Sequence, residues 1–396
     1  MLSYGRQWID ESDIAAVAAA LRSDFLTQGP LIDQFEKRFA DRIGARHAVA
    51  VSNATAALHL AMHVAGIRAG DRVVTSPITF VASANAAAYV GAVPDFADID
   101  ATATLSPRAL EESWREDTRA VVAVDYAGQA ADLPKISAVA KARGAIVIED
   151  ACHGVGGAFH EDGDPSRRQF LGSNPWSDFG VFSFHPVKTM TTGEGGMLVT
   201  NRDDWAEAAR VFRTHGIVRK PGDFEIPDDD EAMAEKGPWY YEMRQLGFNY
   251  RLTDFQSALG LSQLARLDEF LQRRREIVAH YNQQFSDLPW LQRPTVRHDA
   301  DRTTASWHLY TVQIDFSRLG KSRTQVMTQL RAGGVGTQVL YIPVHLQPWY
   351  RRTYGYAPGK CPVAEGFYRR ALSLPLFPAM SNDDVARVVE AVRAIA

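Results

Sequence analysis

Short apolar runs rich in β-branched residues alternate with Ala- and Leu-rich segments along the first 150 residues of the chain. The run at 145–148 is apolar at every position, as in strands whose two faces are both covered by helices. This alternation predicts a wound, mostly parallel α/β sheet between layers of helices. The predicted strands are 48–51, 72–75, 93–96, 120–124 and 145–148, and the predicted helices are 54–65, 80–89 and 133–141.

The pattern changes after residue 200. A polar, acidic stretch with prolines occupies 219–238 and includes Asp228, Asp229 and Asp230; we expect it to form a lid-like loop. A long helical region at 253–283 follows. A second α/β block then shows strands at 309–314 and 339–342 and helices at 322–332 and 382–395. These changes predict a large domain at 1–255, which includes an N-terminal arm. A small domain that begins in a long connecting helix is predicted at 256–396.

Composition narrows the possible classes of function. The 396 residues are 46% hydrophobic and 23% charged, which fits a folded two-domain protein. A net charge of -4 argues against nucleic-acid or anionic-membrane binding, because both need excess basic residues. Cys152 and Cys361 are too far apart in sequence for a CxxC pair, and no run approaches the ~20 apolar residues of a membrane span. We therefore expect a cytoplasmic protein.

Lys188 lies in a loop of small and hydroxylated residues, and no other charged side chain occurs between His185 and Glu194. Asp150 follows the strand predicted at 145–148, which places its carboxylate at the sheet edge where ligands bind. Pyridoxal 5'-phosphate needs a lysine to form a Schiff base and an acid to keep its pyridine nitrogen protonated. Lys188 and Asp150 would supply that pair, although a solvated lysine and a helix-capping aspartate fit the same local patterns.

A phosphate group needs hydrogen-bond donors, and an Ala-rich helix is predicted to begin near Thr55 and Ala56, directly after a strand. The N–H groups at such a helix start bind phosphate, although the same residues also suit a simple cap. Ser183 could direct its hydroxyl to the same phosphate or bond to its own backbone. Phe80 could stack on a pyridine ring or belong to the core.

Long blocks of the chain resemble the DegT/DnrJ-type family of nucleotide-sugar aminotransferases, from YGRQWID near the N-terminus to ALSLPLFP near the C-terminus. The blocks that carry this resemblance are IEDACHGVGG, SDFGVFSFHPVKTMTTGEGGMLVTN and LGFNYRLTDFQSALGLSQLARLDEF. The family uses pyridoxal 5'-phosphate on the aspartate aminotransferase fold, which is fold type I among enzymes with this cofactor. The resemblance therefore implies a large domain with a mostly parallel seven-stranded sheet sandwiched by helices, and a smaller C-terminal α/β domain.

The resemblance also implies a role for each matching residue. Lys188 would form the Schiff base and transfer protons, and Asp150 would hold the pyridine nitrogen. His153 would contact the phenolic oxygen of the cofactor. The remaining cofactor contacts would be Thr55, Ala56 and Ser183 to the phosphate, Phe80 to the ring, and Asn249 to the phosphate of the neighbouring subunit of a homodimer.

Within the family, SNATAALH, VDYAG and GPWYYEMRQLGFNYRL most resemble the enzymes that aminate UDP-4-keto-6-deoxy-N-acetylhexosamines on the route to pseudaminic acid. Glutamate would be the amino donor. Alternatives are a dTDP-linked or 3-keto sugar, a sugar dehydratase, and a non-catalytic sensor of aminosugar nucleotides. The dehydratases of this fold carry histidine at the lysine position, so Lys188 disfavours that alternative.

Several further residues have two interpretations. Cys152 is expected to be a small apolar filler rather than a reactive thiol. Four residues of the second block could contact a sugar or nucleotide, or could equally form an interface between the domains. They are Trp307, His308, Tyr341 and His345.

Overall fold

The computed structural model describes residues 1–173, 175–227, 230 and 235–395. Strands and helices alternate through most of this part of the chain. The strands are β1 His47–Val51, β2 Arg72–Thr75, β3 Val93–Phe96, β4 Thr118–Val124, β5 Ile146–Asp150, β6 Ala158–His160, β7 Arg168–Phe170, β8 Phe179–Ser183, β9 Gly196–Thr200, β10 Ile217–Val218, β11 Glu242–Met243, β12 Leu291–Gln292, β13 Tyr310–Ile314 and β14 Ala371–Leu374.

Several helices begin at a capping side chain. Thr253 and Ser381, for example, each form a reciprocal capping box with the residue three positions later. The helices are α1 Glu11–Leu21, α2 Pro30–Ile43, α3 Ala54–Val64, α4 Ala82–Tyr89, α5 Pro107–Ser113, α6 Leu133–Lys141, α7 Asp203–Phe212, α8 Asp254–Ala265, α9 Leu267–Gln284, α10 Arg323–Ala332, α11 Pro348–Tyr354, α12 Pro362–Arg370 and α13 Asn382–Arg393.

The large sheet has seven strands in the order β1-β9-β8-β5-β4-β2-β3. The strands run parallel except β9, which is antiparallel to both of its neighbours. Successive residues of β4 point to opposite cores: Val121 packs with α2 and α6, whereas Val122 packs with α3, α4 and α7. Helices cover both faces, so the positions of β4 from Ala120 to Val124 are all apolar. The predicted mostly parallel seven-stranded sheet is confirmed.

A second, three-stranded antiparallel sheet, β12-β13-β14, forms the C-terminal part and packs with α9, α10 and α13. The prediction of a strand at 339–342 is wrong. The partner of β13 is instead β14, while Gln338 makes only an isolated bridge to Ser373. Beyond that bridge the chain leaves the sheet, and the Tyr341 hydroxyl lies 3.3 Å from His153 Nε2. This apolar segment therefore packs against the large domain instead of extending the small sheet.

The helical region predicted at 253–283 consists of two helices, because α8 ends and α9 begins at Arg266. Helix α8 packs against α1 and α2, whereas α9 contributes Ile277 and Tyr281 to the core around the small sheet. The domain boundary between residues 255 and 256 stays a prediction.

Two polar stretches have defined anchors. The β6–β7 hairpin occupies 158–170, and both the backbone N–H and the Nδ1 of His160 contact Asp301 Oδ1. In the acidic stretch, the buried Glu242 carboxylate accepts the backbone N–H of Glu225 at 2.6 Å. Asp228, Asp229 and residues 231–234 of that stretch lie outside the described residues. Within the described ranges, no helix combines the length and apolarity needed to cross a bilayer.

Candidate active site

The predicted site residues converge on the carboxyl edge of the large sheet. Asp150 is the last residue of β5 and Ser183 is the last residue of β8. Ser183 pairs with Gly196, which pairs in turn with Val51 at the end of β1. Helix α3 begins three positions after Val51, so its N-terminus faces the same edge. Segments far apart in sequence are thus brought to one place.

Asp150 is buried and held by two donors. The Ser83 hydroxyl donates to Asp150 Oδ2 at 2.6 Å, and the Cys152 backbone N–H donates to Oδ1 at 3.2 Å. The chain continues from Asp150 into turns at 151–157, so the aspartate does not cap a helix. Burial also raises the pKa of the Cys152 thiol well above its usual range, which keeps the thiol protonated and fits a filler role.

Ser83 is a site residue that the sequence pattern did not reveal. It lies on α4, and nothing in its helical context distinguishes it from a core serine. Its hydroxyl also lies 2.7 Å from the hydroxyl of Thr79. Only the packing of α4 on the neighbouring strands β2, β3 and β4 brings this hydroxyl to Asp150.

We expect Ser83→Ala to lower turnover at least about tenfold, because a hydrogen bond to a charged group contributes roughly 1.5–3 kcal/mol and about 1.4 kcal/mol corresponds to tenfold in rate. Steady-state kinetics would measure the change. Ser137→Ala is the matched control, since Ser137 is a buried serine on α6. Equal turnover in the two variants would contradict a role for Ser83 at Asp150.

Lys188 stands in the β8–β9 loop, where its backbone N–H donates to the carbonyl of His185 at 2.8 Å. The side chain is half-buried, and no hydrogen-bond or ion-pair partner for its Nζ occurs among the residues that the structure describes. The pKa of the amine is lowered, because burial disfavours the ammonium form more than the negative charge of Asp150 favours it. An unpartnered amine beside a buried carboxylate fits a carbonyl cofactor with a basic ring nitrogen.

His153 is buried next to this pair. The backbone N–H of Ala127 donates to His153 Nδ1 at 3.2 Å, so the neutral ring carries its proton on Nε2, which lies 3.3 Å from the Tyr341 hydroxyl. Burial and the nearby Lys188 charge hold the pKa of His153 well below its usual range. The neutral ring therefore presents an N–H donor at the edge of the site, as contact with a phenolic oxygen requires.

The ring of His308 lies 4.3 Å from that of His153, and burial, followed by the His153 and Lys188 charges, holds the pKa of His308 well below the ordinary value as well. Below about pH 6.5 the unfolded chain binds protons that the folded chain excludes, so stability is lost as the pH falls. We expect the pH dependence of the unfolding free energy to flatten in His308→Asn. Urea unfolding at several pH values measures this free energy, and His185→Asn is the control because His185 is exposed. If the unfolding free energy changes equally with pH in wild type and in His308→Asn, His308 is not the group responsible.

The N-terminus of α3 is only partly available for a phosphate. The Asn53 side chain caps the helix and accepts the N–H of Ala56 at 2.9 Å, so that N–H is already engaged. The backbone N–H of Thr55 has no acceptor within the described part of the chain. A Cβ at Gly196 would lie 2.5 Å from the Asn53 carbonyl carbon, so glycine is needed for β9 to pass the helix start.

The other predicted contacts have different surroundings. Ser183 is half-buried, and its Oγ accepts the backbone N–H of His185 at 3.4 Å. Phe80 is 58% exposed, with its ring 6.2 Å from that of Tyr341, so it lies beside the site rather than in the core. Asn249 is exposed and is placed by its backbone bridge to Thr214.

The four candidates of the second block divide into two pairs. Tyr341 and His308 reach the site through His153. Trp307 is fully buried and donates to the carbonyl of Arg302, and His345 is buried against Glu365 at 3.0 Å. A sugar or nucleotide contact is therefore wrong for Trp307 and His345, because their side chains are buried in protein contacts.

Comparison with known proteins agrees with this geometry. The sequence profile of the DegT/DnrJ/EryC1/StrS aminotransferase family matches residues 7–393. The spore coat polysaccharide biosynthesis protein SpsC of Bacillus subtilis is 41% identical over 396 residues, which is 100% of this chain and 97% of SpsC.

Two solved structures share the fold across the whole chain. Helicobacter pylori PseC, an aminotransferase involved in the biosynthesis of pseudaminic acid, has a TM-score of 0.87 and 28% identity, and the match covers 100% of this chain and 98% of PseC. The PMP form of the putative sugar aminotransferase Spr1654 of Streptococcus pneumoniae has a TM-score of 0.88 and 26% identity, covering 100% and 99%. The chain is therefore a pyridoxal-phosphate-dependent sugar aminotransferase of the DegT/DnrJ/EryC1/StrS family.

Proposed function

We propose that this enzyme transfers an amino group from glutamate to the C4 ketone of a UDP-linked 4-keto-6-deoxy-N-acetylhexosamine on the route to pseudaminic acid. The observation that carries the chemistry is the half-buried amine of Lys188, which has no partner among the described residues and lies close enough to Asp150 for the carboxylate charge to act on it. The choice of sugar is supported by the sequence blocks described above and by the likeness to PseC.

Pyridoxal phosphate, when bound, supplies a carbonyl carbon that exchanges amines and a ring that accepts electron density. The Lys188 amine anchors that carbon. Burial lowers the pKa of the amine, so more of it is in the neutral form that can attack a carbonyl or accept a proton. The same amine would take the proton from the α-carbon of glutamate and would deliver a proton to C4 of the sugar, so the enzyme neither gains nor loses a proton over the complete reaction.

Asp150 would hold the proton on the ring nitrogen, with its carboxylate oriented by Ser83 and by the Cys152 N–H. His153 would donate from Nε2 to the phenolic oxygen, since Ala127 already donates to its Nδ1. The phosphate would lie at the start of α3 near Thr55, Ala56 and Ser183.

Purified enzyme with cofactor and glutamate should aminate the UDP-linked 4-keto sugar, and mass spectrometry of a panel of UDP- and dTDP-linked 3-keto and 4-keto sugars would identify the product. Amination of a dTDP sugar alone would contradict the nucleotide assignment. Amination only at C3 would contradict the position of the ketone. Loss of a hydroxyl without glutamate-dependent amination would instead identify a dehydratase, and binding of the aminosugar nucleotide without turnover would identify a sensor.

We propose that the active enzyme is a homodimer and that Asn249 contacts the phosphate bound by the partner subunit. Its exposed amide beside a fixed backbone bridge supports a contact across subunits. Mixing inactive Lys188→Ala and Asn249→Ala subunits should then restore turnover, because a hybrid dimer contains one intact site. The two variants assayed separately are the controls. Absence of any recovery in a mixture that exchanges subunits would contradict the shared site.

A further inference from the structure

Two buried acids, Asp125 and Glu149, lie together behind Asp150. Glu149 pairs with Ala123 in the β4–β5 register, and Asp125 comes two positions after Ala123. Side chains alternate between faces along a strand, so Glu149 points to the face opposite that of Asp150. Asp125 is 0% and Glu149 1% exposed.

Glu149 receives hydrogen bonds on both of its carboxylate oxygens, whereas Asp125 receives one on only one oxygen from the residues that the structure describes. Glu149 accepts from the Gly172 N–H at 2.7 Å through one oxygen and from the Ser177 hydroxyl at 3.0 Å through the other. Asp125 Oδ1 accepts the Ala131 N–H at 2.9 Å. The second oxygen of Asp125 is buried and has no partner in the described ranges. Neither carboxyl forms an ion pair with a basic side chain of the described residues.

Two adjacent carboxylates without a cation are unstable in a buried site, because like charges repel strongly where water is excluded. Burial raises the pKa of Asp125 well above its usual range, and the negative charges of Glu149 and Asp150, which are the charged groups acting on it, raise that pKa further. A proton on Asp125 Oδ2 would remove one charge and provide the missing hydrogen bond.

We propose that Asp125 is protonated at neutral pH, that it donates this proton in a hydrogen bond to an ionised Glu149, and that the acid pair positions Asp150. The backbone N–H of Asp125 donates to the carbonyl of Asp150 at 3.1 Å, and Glu149 precedes Asp150 in the chain. A side-chain hydrogen bond from Asp125 to Glu149 would therefore link the end of β4 to the end of β5 directly beside the Asp150 backbone. This positioning role rests on the function proposed above for Asp150.

Infrared difference spectroscopy tests the proton directly. The spectrum of the wild-type holoenzyme minus that of Asp125→Asn at neutral pH should contain the carbonyl stretch of a buried carboxylic acid. The amide is a close mimic of the protonated acid, since it still accepts from Ala131 and still donates to Glu149. Absence of the acid band would overturn the protonation of Asp125, whatever the enzyme aminates.

Stability measurements give a second test with a defined sign. A carboxyl whose pKa is raised on folding stabilises the protein fully at low pH and loses that contribution as the pH rises through its folded pKa. Asp125→Asn should therefore gain stability relative to wild type as the pH rises. Asp95→Asn is the matched control, because Asp95 is also buried but pairs with Arg72 and Lys360. Destabilisation of both variants alike would overturn the proposal.

Binding of cofactor to the apoenzyme tests positioning. Asp125→Ala removes the link to Glu149 and should weaken cofactor binding at least about tenfold, whereas Asp125→Asn should stay within about twofold of wild type. Asp125→Ser replaces the alanine variant if that variant does not fold. Equal affinity in wild type and in the folded alanine or serine variant would overturn the positioning role. Failure of the proposed function would instead appear as wild-type enzyme that binds cofactor but aminates none of the sugars.

Discussion

Replacing Lys188 with alanine is expected to lower turnover by about 10⁴-fold and to abolish the adduct that borohydride traps between enzyme and cofactor. The loss is large because the amine has two functions, anchoring the cofactor and moving protons, and general acid–base catalysis alone contributes roughly 10²–10⁴-fold. Mass spectrometry of the reduced, digested enzyme locates the adduct, and steady-state assays measure the rate. In the wild-type enzyme the adduct should lie on the peptide that contains Lys188.

A surface lysine provides the control for this substitution. Lys37 is exposed and pairs with Asp41 one helical turn away, so Lys37→Ala should keep both the adduct and the turnover. If reduction of the wild-type enzyme leaves Lys188 unmodified, or if Lys188→Ala retains full activity, the proposed chemistry is wrong. Retained folding, checked by circular dichroism, separates loss of the amine from loss of the structure.

Asp150→Asn, when saturated with cofactor, is expected to turn over about 10²–10³-fold more slowly. The magnitude follows other sites where one electrostatic group that stabilises developing charge is removed. Asparagine nearly matches aspartate in shape, so the neighbouring Ser83 and Cys152 groups stay in place while the charge that holds a proton on the ring nitrogen is lost. Visible absorbance reports bound cofactor, and single-turnover kinetics with glutamate reports proton abstraction.

Ser83→Ala and Asp150→Asn should lower turnover to different extents. Ser83→Ala removes one hydrogen bond and leaves the charge, so its effect should be much smaller than that of Asp150→Asn. A reversed order would show that the hydroxyl of Ser83, rather than the charge of Asp150, limits the reaction. Full turnover in Asp150→Asn would rule out Asp150 as the partner of the ring nitrogen.

Much of the large domain could be predicted from periodicity. The strand at 72–75, the strand at 93–96 and the helix at 133–141 coincide with β2, β3 and α6. Each has a local signal, either a short run with apolar residues at its centre or ends, or a helical repeat bounded by turn residues. The strand ends give the edge where Asp150 and Ser183 lie.

Predictions failed where an apolar run had a different partner. Residues 339–342 look like a strand, but the place beside β13 belongs to β14, and Tyr341 instead lies against His153, 188 positions away in sequence. For Trp307 and His345 the sequence left a ligand contact and a domain interface equally open, and the structure buries both side chains against protein groups. A side chain's type does not reveal which neighbour it will meet.

The sequence by itself determined the α/β class, the mostly parallel sheet and, through its resemblance to a family, the cofactor and the lysine and aspartate that we propose hold it. Only the tertiary structure decided which groups surround them: the Ser83 hydroxyl at Asp150, the Nε2 proton of His153, and the buried pair of Asp125 and Glu149, in which one Asp125 oxygen has no donor among the described residues. Periodicity is a local property that short segments carry on their own. Burial and hydrogen bonding depend on contacts between distant segments, and these arise only when the chain folds.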